Sequence, residues 1–288
     1  MTYNFGFLDE QSKRAVRRAL LKAVAIPGYQ VPFVSRELPI SYGWGTGGIQ
    51  VTCALLGPHD RVKVIDQGAD DSVNAVNIKR FLTRTSGVAT TAVTGEATII
   101  QTRHRIPEER LRGHQILVLQ VPYPEPLRIV EPRERETRRM HAEADYGRMF
   151  VSLYEDIVRN GEISLPWQYP AMVGDRYLLN PSPIPRFDNP KLHMADCLFL
   201  FGAGREKRVY AIPPLTPVRS LGFEDHPFRV ESFRGRRCRC CGSTDTYLDE
   251  LITEGGGRSF ACSDTAFCLR RRRDPALPRG WGHDAVRS

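Results

Sequence analysis

Between Cys238 and Cys268 the chain reads CRCCGSTDTYLDELITEGGGRSFACSDTAFC, and five of its seven cysteines fall within these 31 residues. Four of them follow the pattern C-x2-C, twenty residues, C-x5-C: Cys238, Cys241, Cys262 and Cys268. Two loops that each bring thiolates to one point are the means by which a tetrahedral four-sulfur zinc site is built. The same ligand type also holds iron–sulfur clusters. Spacing puts zinc ahead without excluding the cluster. Cys240 sits one residue from Cys241, would point away from a site using Cys238 and Cys241, and reads as a spare thiol. The x5 gap is wider than a zinc ribbon usually has, which leaves open whether Cys268 is a ligand.

The whole chain limits where such a site can work. At 288 residues it can bury a substantial core, and 41% hydrophobic with 26% charged residues is ordinary for a globular protein. No apolar run approaches the length that spans a bilayer, and the start, MTYNFGFLDEQSKRAVRR, lacks the apolar stretch of a secretory signal. The expectation is a cytoplasmic protein, where thiols stay reduced and clustered cysteines point to metal or redox chemistry. A formal charge of +8 suits an anionic partner but does not separate nucleic acid from phosphorylated metabolites.

The elements that must position the cysteines alternate between helix and strand. Leu8 to Ala25 has helical spacing and stops at Pro27 and Gly28. The glycine-rich YGWGTGG, Tyr42 to Gly48, leads into a strand-like run, IQVTCALL, and RVKVID follows as a second strand. Ser72 offers a cap to a helix that ends near Gly87. Thr98 to Thr102 and Ile116 to Val121 read as strands. From Pro132 to Asn160 a highly charged helix is predicted, with Met140, Ala144, Val151, Tyr154 and Val158 on one stripe and Gly161 at its end. CLFLFGAGREKRVYAIPP looks like two strands joined by a turn. The prediction is a mixed α/β protein with a central mixed sheet: residues 1–130 and 172–230 as core, 131–171 as a helical insert and candidate partner-docking element, 231–270 as the cysteine module, and 271–288 as a basic mobile tail.

Several of these segments resemble a known family. AVAIPGYQVPF, YGWGTGG, KVIDQGADDSVNAVNIKRF, TIIQTRHRIPE, PSPIPRFDNPK, LFGAGREKRVYAIPP, DHPF and the closing CSDTAFC are similar to the carbon–phosphorus lyase catalytic subunits, the PhnJ family of phosphonate-degradation operons. The resemblance runs from the first helix to Cys268. It implies a radical S-adenosylmethionine enzyme in which Cys238, Cys241 and Cys262 hold a [4Fe–4S] cluster, Cys268 is the thiyl-radical residue and Gly28 the glycyl-radical position. The loop between the second and third cysteines is one residue shorter than the family's, and the family tends to lack a cysteine at position 240.

The chemistry fits those residue types. A C–P bond offers no good leaving group, so homolysis avoids expelling a carbanion, while a glycine radical is unhindered and delocalised between two amides. The substrate implied is α-D-ribose 1-methylphosphonate 5-phosphate, with methane and a 1,2-cyclic phosphate as products. The partners implied are PhnG, PhnH and PhnI in a multi-subunit core, with the ABC-type ATPase PhnK docking on it. Gly45, Thr46, Gly47 and Gly48 are candidates for an anion nest at the substrate, although a glycine-rich turn is usually only a turn. Arg103 and Arg105 are candidate phosphate clamps, and His104 between them a candidate ligand to a second metal completed by a partner subunit; the plain alternative is a solvated basic strand end. The competing function is a zinc-ribbon binding protein with a structural four-cysteine zinc that contacts nucleic acid through its arginines. Zinc in protein prepared in air would be compatible with either.

Overall fold

The computed structural model describes residues 8–33, 46–122, 125–161, 163, 170–181, 183–223, 231–277 and 281. The Asp9 carboxylate accepts the Ser12 N–H at 2.8 Å and opens helix α1 (Glu10–Ala25), satisfying a donor that every helix start leaves open. Val16, Ala19, Leu20 and Ala23 form its buried stripe. A short strand follows, β1 (Val31–Pro32).

The run IQVTCALL, whose β-branched residues predict a strand, is the body of helix α2 (Thr46–Leu55). The reason is burial on every side. Ile49, Val51, Cys53 and Ala54 are all inaccessible, and a helix with no polar face shows no helical period in its sequence. Gly47 and Gly48 let it seat this deeply: a Cβ on Gly47 would stand 2.3 Å from the Ala203 carbonyl carbon, and one on Gly48 2.8 Å from Gln120 Cβ.

Strand β2 (Arg61–Asp66), helix α3 (Val73–Ser86), β3 (Ala89–Thr90), β4 (Ile99–Arg103) and β5 (Ile116–Val121) come next, with Ser72 capping α3 and Gly87 ending it as the sequence predicts. The charged stretch after Pro132, predicted as one helix, is two: α4 (Glu134–Glu143) and α5 (Gly147–Asn160). Ala144 adopts a left-handed turn in which its own N–H reaches the His141 carbonyl and the Asp145 N–H the Met140 carbonyl. The break changes the phase of the apolar stripe. Met140, Met149, Leu153 and Ile157 are buried, while Val151, Tyr154 and Val158 are exposed.

The remaining elements are β6 (Ala171–Val173), β7 (Tyr177–Leu179), β8 (Leu198–Ala203), β9 (Arg208–Ile212), β10 (Val218–Ser220), β11 (Leu248–Ile252), β12 (Arg258–Cys262) and α6 (Thr265–Arg273). The central sheet is mixed, in the order β1-β9-β8-β5-β4-β2-β3; β8, β5, β4, β2 and β3 are parallel and β9 is antiparallel to both its neighbours. One face packs on α1, α2 and α3, the other on a core containing residues of β6, β7 and β10. Helices α4 and α5 gather a cluster of their own around Leu127, Leu178 and Leu221.

Register lines up the carboxyl ends of the parallel strands, the edge where open α/β sheets bind ligands. Asp66 pairs with Arg103, Thr102 with Leu119 and Gln120 with Gly202, so one level of that edge runs Asp66, Arg103, Gln120, Gly202. The first turn of α2 rests on the last two. Arg271, at the start of the predicted tail, lies within α6 and pairs with Asp245 at 2.9 Å; Trp281 packs on the core and donates to the Pro107 carbonyl at 2.8 Å. Residues 282–288 lie outside the described residues.

Candidate metal centre

The four spaced cysteines converge. Their sulfurs all lie within 4.8 Å of one another, with Cys238 and Cys268 at 3.6 Å and Cys241 and Cys262 at 3.5 Å. Each comes from a defined piece of backbone. Cys238 and Cys241 flank a tight knuckle in which the Gly242 N–H returns to the Cys238 carbonyl at 2.9 Å. Cys262 ends β12, opposite Leu248 of β11. Cys268 is brought round by α6, whose N-cap Asp264 accepts the Phe267 N–H at 2.9 Å. That helical turn is how a C-x5-C gap closes on one point. Cys240 is exposed and outside the tetrad, and all seven cysteines are free thiols.

Electrostatics set Cys238 apart from Cys241 and Cys262. Burial raises the pKa of Cys238, but the backbone N–H groups of Cys241, Cys262 and Cys240 outweigh it and bring the thiol down to about 6. Burial lifts Cys241 to about 12. Cys262 is raised as well, first by its hydrogen bond with Cys268 and then by burial. Four thiolates this close need a cation among them. Tetrahedral zinc, with Zn–S near 2.3 Å, sets its sulfurs about 3.8 Å apart. The donor set suits zinc or an iron–sulfur cluster in kind, and the sulfur spacing is that of a single ion. A cube of four irons, each thiolate outside its own corner, requires the sulfurs to move apart.

Arg105 is not free to clamp a phosphate. It is buried, and its nitrogens are spent on Asp188 at 2.7 and 3.1 Å, on Glu108 at 2.8 Å and on the Ser263 hydroxyl, with the Tyr247 ring 4.1 Å away. Burial opposes its charge, but the two carboxylates prevail and raise its pKa. Lys191 completes the cluster, 2.8 Å from Asp188 and 3.2 Å from Glu108. The Glu108 N–H donates to the other oxygen of Asp264 at 3.0 Å. The cysteine module is thus fastened to the loop after β4 at Ser263 and Asp264, between its third and fourth thiols. Sequence reasoning missed Asp188, Ser263 and Asp264. CSDTAFC contains two of them as a helix cap, but nothing local ties them to a residue 158 positions away.

Arg103 is held by Asp66 through two bonds of 2.8 and 3.1 Å. His104 has a left-handed backbone (φ 73°), and burial, then the Arg103 charge, lower its pKa, so the ring is neutral at pH 7. Gln120, one strand over, is buried with a side-chain oxygen that has no hydrogen-bond partner. Gly47 and Gly48 lie in the first turn of α2 beside it, in a helix and not in a loop nest. Gly45 and the Thr46 side chain lie outside the described residues.

Gly28 is elsewhere. Its N–H donates to the Ala211 carbonyl of β9 at 2.8 Å, its φ is 77°, and a Cβ there would meet Val173 and Tyr177 at 3.0 Å. Ala211 is level with Leu200, Val118 and Gln101 across β8, β5 and β4. Three strand spacings, about 14 Å, separate β9, to which Gly28 bonds, from β4, whose end carries the cysteine module. Gly28 and Cys268 are not brought together. No helix among the described residues is long and apolar enough to cross a membrane.

These features define a class: a mixed α/β protein with four converging thiols, able to hold a metal, fastened to the carboxyl end of its sheet. The chain belongs to the family described as phosphonate metabolism protein PhnJ, whose profile matches residues 1–274, as the resemblance in the sequence implies. It is 63% identical over 272 residues to the alpha-D-ribose 1-methylphosphonate 5-phosphate C-P-lyase of Rhizobium meliloti (strain 1021), covering 94% of this chain and 91% of that protein. It is 60% identical over 270 residues to the Escherichia coli (strain K12) enzyme of the same name, covering 93% and 96%.

Proposed function

We propose that the chain is a carbon–phosphorus lyase acting on α-D-ribose 1-methylphosphonate 5-phosphate. The observation that carries this reading is the convergence of Cys238, Cys241, Cys262 and Cys268 in a chain so similar to two enzymes named for that reaction. In the finer reading Cys238, Cys241 and Cys262 hold a [4Fe–4S] cluster, which with S-adenosylmethionine supplies a carbon radical able to take a hydrogen atom from glycine.

The chain's own residues then divide the work. Gly28, with no side chain and a backbone only glycine adopts easily, stores the unpaired electron on its α-carbon. Cys268 gives its thiol hydrogen to that carbon and becomes the thiyl radical. Its sulfur bonds to phosphorus as the P–CH3 bond breaks homolytically, and the methyl radical takes the hydrogen of Gly28 to leave as methane. The ribose 2-hydroxyl then displaces the Cys268 sulfur from phosphorus, giving the 1,2-cyclic phosphate and restoring the thiol. Hydrogen transfer needs reacting atoms about 3–3.5 Å apart. The reading therefore requires Gly28 and Cys268 to approach each other, within the assembly with PhnG, PhnH, PhnI and PhnK that the family implies. The exposed Val151, Tyr154 and Val158 of α5 support such contacts.

Sulfur separations of 3.5 and 3.6 Å favour a second reading, a single zinc held by all four thiolates. Anaerobic reconstitution with iron and sulfide, followed by electron paramagnetic resonance and methane assay, decides between them. Under the lyase reading Cys238→Ala, Cys241→Ala and Cys262→Ala lose the cluster signal, and Cys268→Ala keeps it but releases no methane. A centre that takes one zinc and no iron under every condition sinks the cluster assignment.

A further inference from the structure

A cavity lies beside Gly28. It measures about 190 Å³, smaller than the pockets that take drug-sized ligands, and Gly28, Tyr29 and Tyr177 form one wall. Four cations line it, Lys22, Arg128, Arg138 and Arg208, against two carboxylates, Glu125 and Glu134. Glu125 is already committed, accepting from His141 at 2.8 Å and from the Leu127 N–H at 3.0 Å. Glu134 is shared by Arg138 and Arg208.

That leaves two cations with unused capacity. The buried Nε of Arg128 has no hydrogen-bond partner, and its terminal nitrogens stand 3.6 and 3.7 Å from Glu134 and Glu206, beyond hydrogen-bonding reach. Lys22 forms no ion pair among the described residues and meets only the Tyr29 ring, 6.0 Å away. The Nε is shut away from the cavity, so what Arg128 offers a ligand is its two terminal nitrogens, held only by these long ion pairs. Arginine beside lysine at the mouth of a small cavity suits the oxygens of a phosphate group.

We propose that this cavity is a binding site for a phosphate monoester of pentose size, with Lys22 and Arg128 holding the phosphate and the Glu125–His141 end facing the sugar hydroxyls. The proposal deepens the lyase reading, on which it rests only for the identity of the natural ligand: a pentose phosphate held there lies against Gly28, the residue that reading makes the radical store. The site is separate from the thiol centre and from the edge at Arg103, His104 and Gln120.

Isothermal titration of the full-length chain tests it, with ribose 5-phosphate, inorganic phosphate and adenosine 5′-monophosphate as probes. Ribose 5-phosphate is expected to bind saturably and more tightly than either of the others, since inorganic phosphate lacks the sugar and the nucleotide exceeds the cavity. Lys22→Ala and Arg128→Ala are each expected to weaken it about tenfold, the loss of one charge-assisted contact. Arg139→Ala, on the same helix as Arg138 but outside the cavity, is expected to leave it unchanged. Absence of saturable binding, or equal binding by the two variants and the parent, overturns the proposal. Equal affinity for ribose 5-phosphate and inorganic phosphate removes its sugar half. Lys22 is exposed, so its variant tests the site even if Arg128→Ala folds poorly. None of these titrations needs a metal: a chain that binds ribose 5-phosphate here but never takes iron refutes the cluster reading alone.

Discussion

The two ends of the sheet are built on opposite terms. At the β4–β2 end Arg105, Glu108, Asp188 and Lys191 are all buried, each of these four has a charged partner, and the cysteine module is pressed onto the strand ends. At the β1–β9 end Glu134 and Arg138 are about half open to solvent, Arg208 is mostly covered, and a cavity remains. The first arrangement suits something held permanently, a metal and the thiols around it. The second suits something that arrives and leaves. A low-dielectric interior makes a fully paired network rigid and an unpaired polar group costly, so the two designs differ in stability as much as in function.

The sharpest test sets two ion pairs against each other. Asp188→Ala strands Arg105 and Lys191 in the interior and should cost about 3–5 kcal/mol, whereas Arg138→Ala removes an exposed helical pair worth about 0.5 kcal/mol or less. Urea unfolding of both variants measures the difference. An Asp188→Ala loss no larger than that of Arg138→Ala would mean that the network does not fasten the module.

Glycines give a second comparison. Gly68 has φ 90°, and a Cβ there would stand 2.7 Å from the Ser263 carbonyl oxygen, backbone of the cysteine module. Gly28 has φ 77°, and its Cβ would meet only the side chains of Tyr177 and Val173, at 3.0 Å. Both substitutions to alanine carry a left-handed cost of about 1–2 kcal/mol. Gly68→Ala should add an overpacking cost of about 1–3 kcal/mol. It should also weaken binding of cobalt at the four thiols, read from the thiolate absorption, which Gly28→Ala should leave intact. Equal effects on cobalt would show that the module does not rest on Gly68.

How much of this was legible in the sequence follows the same division. The thiol spacing and the flanking strands are local patterns, and the elements that carry them form as their residues dictate. The family resemblance rests on the same continuous motifs. Helix α2 was not legible because Ile49, Val51 and Cys53 are buried by neighbours on both sides, which erases the polar face that marks a helix. The break at Ala144 is marked only by Gly147 at the start of α5, and the predicted stripe through Val151 and Val158 followed an unbroken helix across it. Arg105 read as a clamp because its partners, Asp188 and Ser263, lie 83 and 158 residues away. Pairings across that distance are made by the fold, and the cavity at Gly28 is assembled the same way, from α1, β9, α4 and the segment after β5.

The smallest effect concerns pH. Burial alone would raise the pKa of Asp188, but Arg105 and Lys191 outweigh it and lower the carboxyl below its ordinary 3.8. A carboxylate depressed in the folded state takes up its proton more readily when the chain unfolds. Its contribution is therefore complete above the ordinary value and drains away as pH falls through the depressed one. Stability from this group should be constant between pH 7 and 5 and lower at pH 3. Urea midpoints across that range, for the parent and for Asp188→Asn, isolate the term: the parent should lose more than the variant on acidification. Parallel curves would mean that folding leaves the proton affinity of Asp188 unchanged, and that Arg105 and Lys191 do no more than offset the cost of burying it.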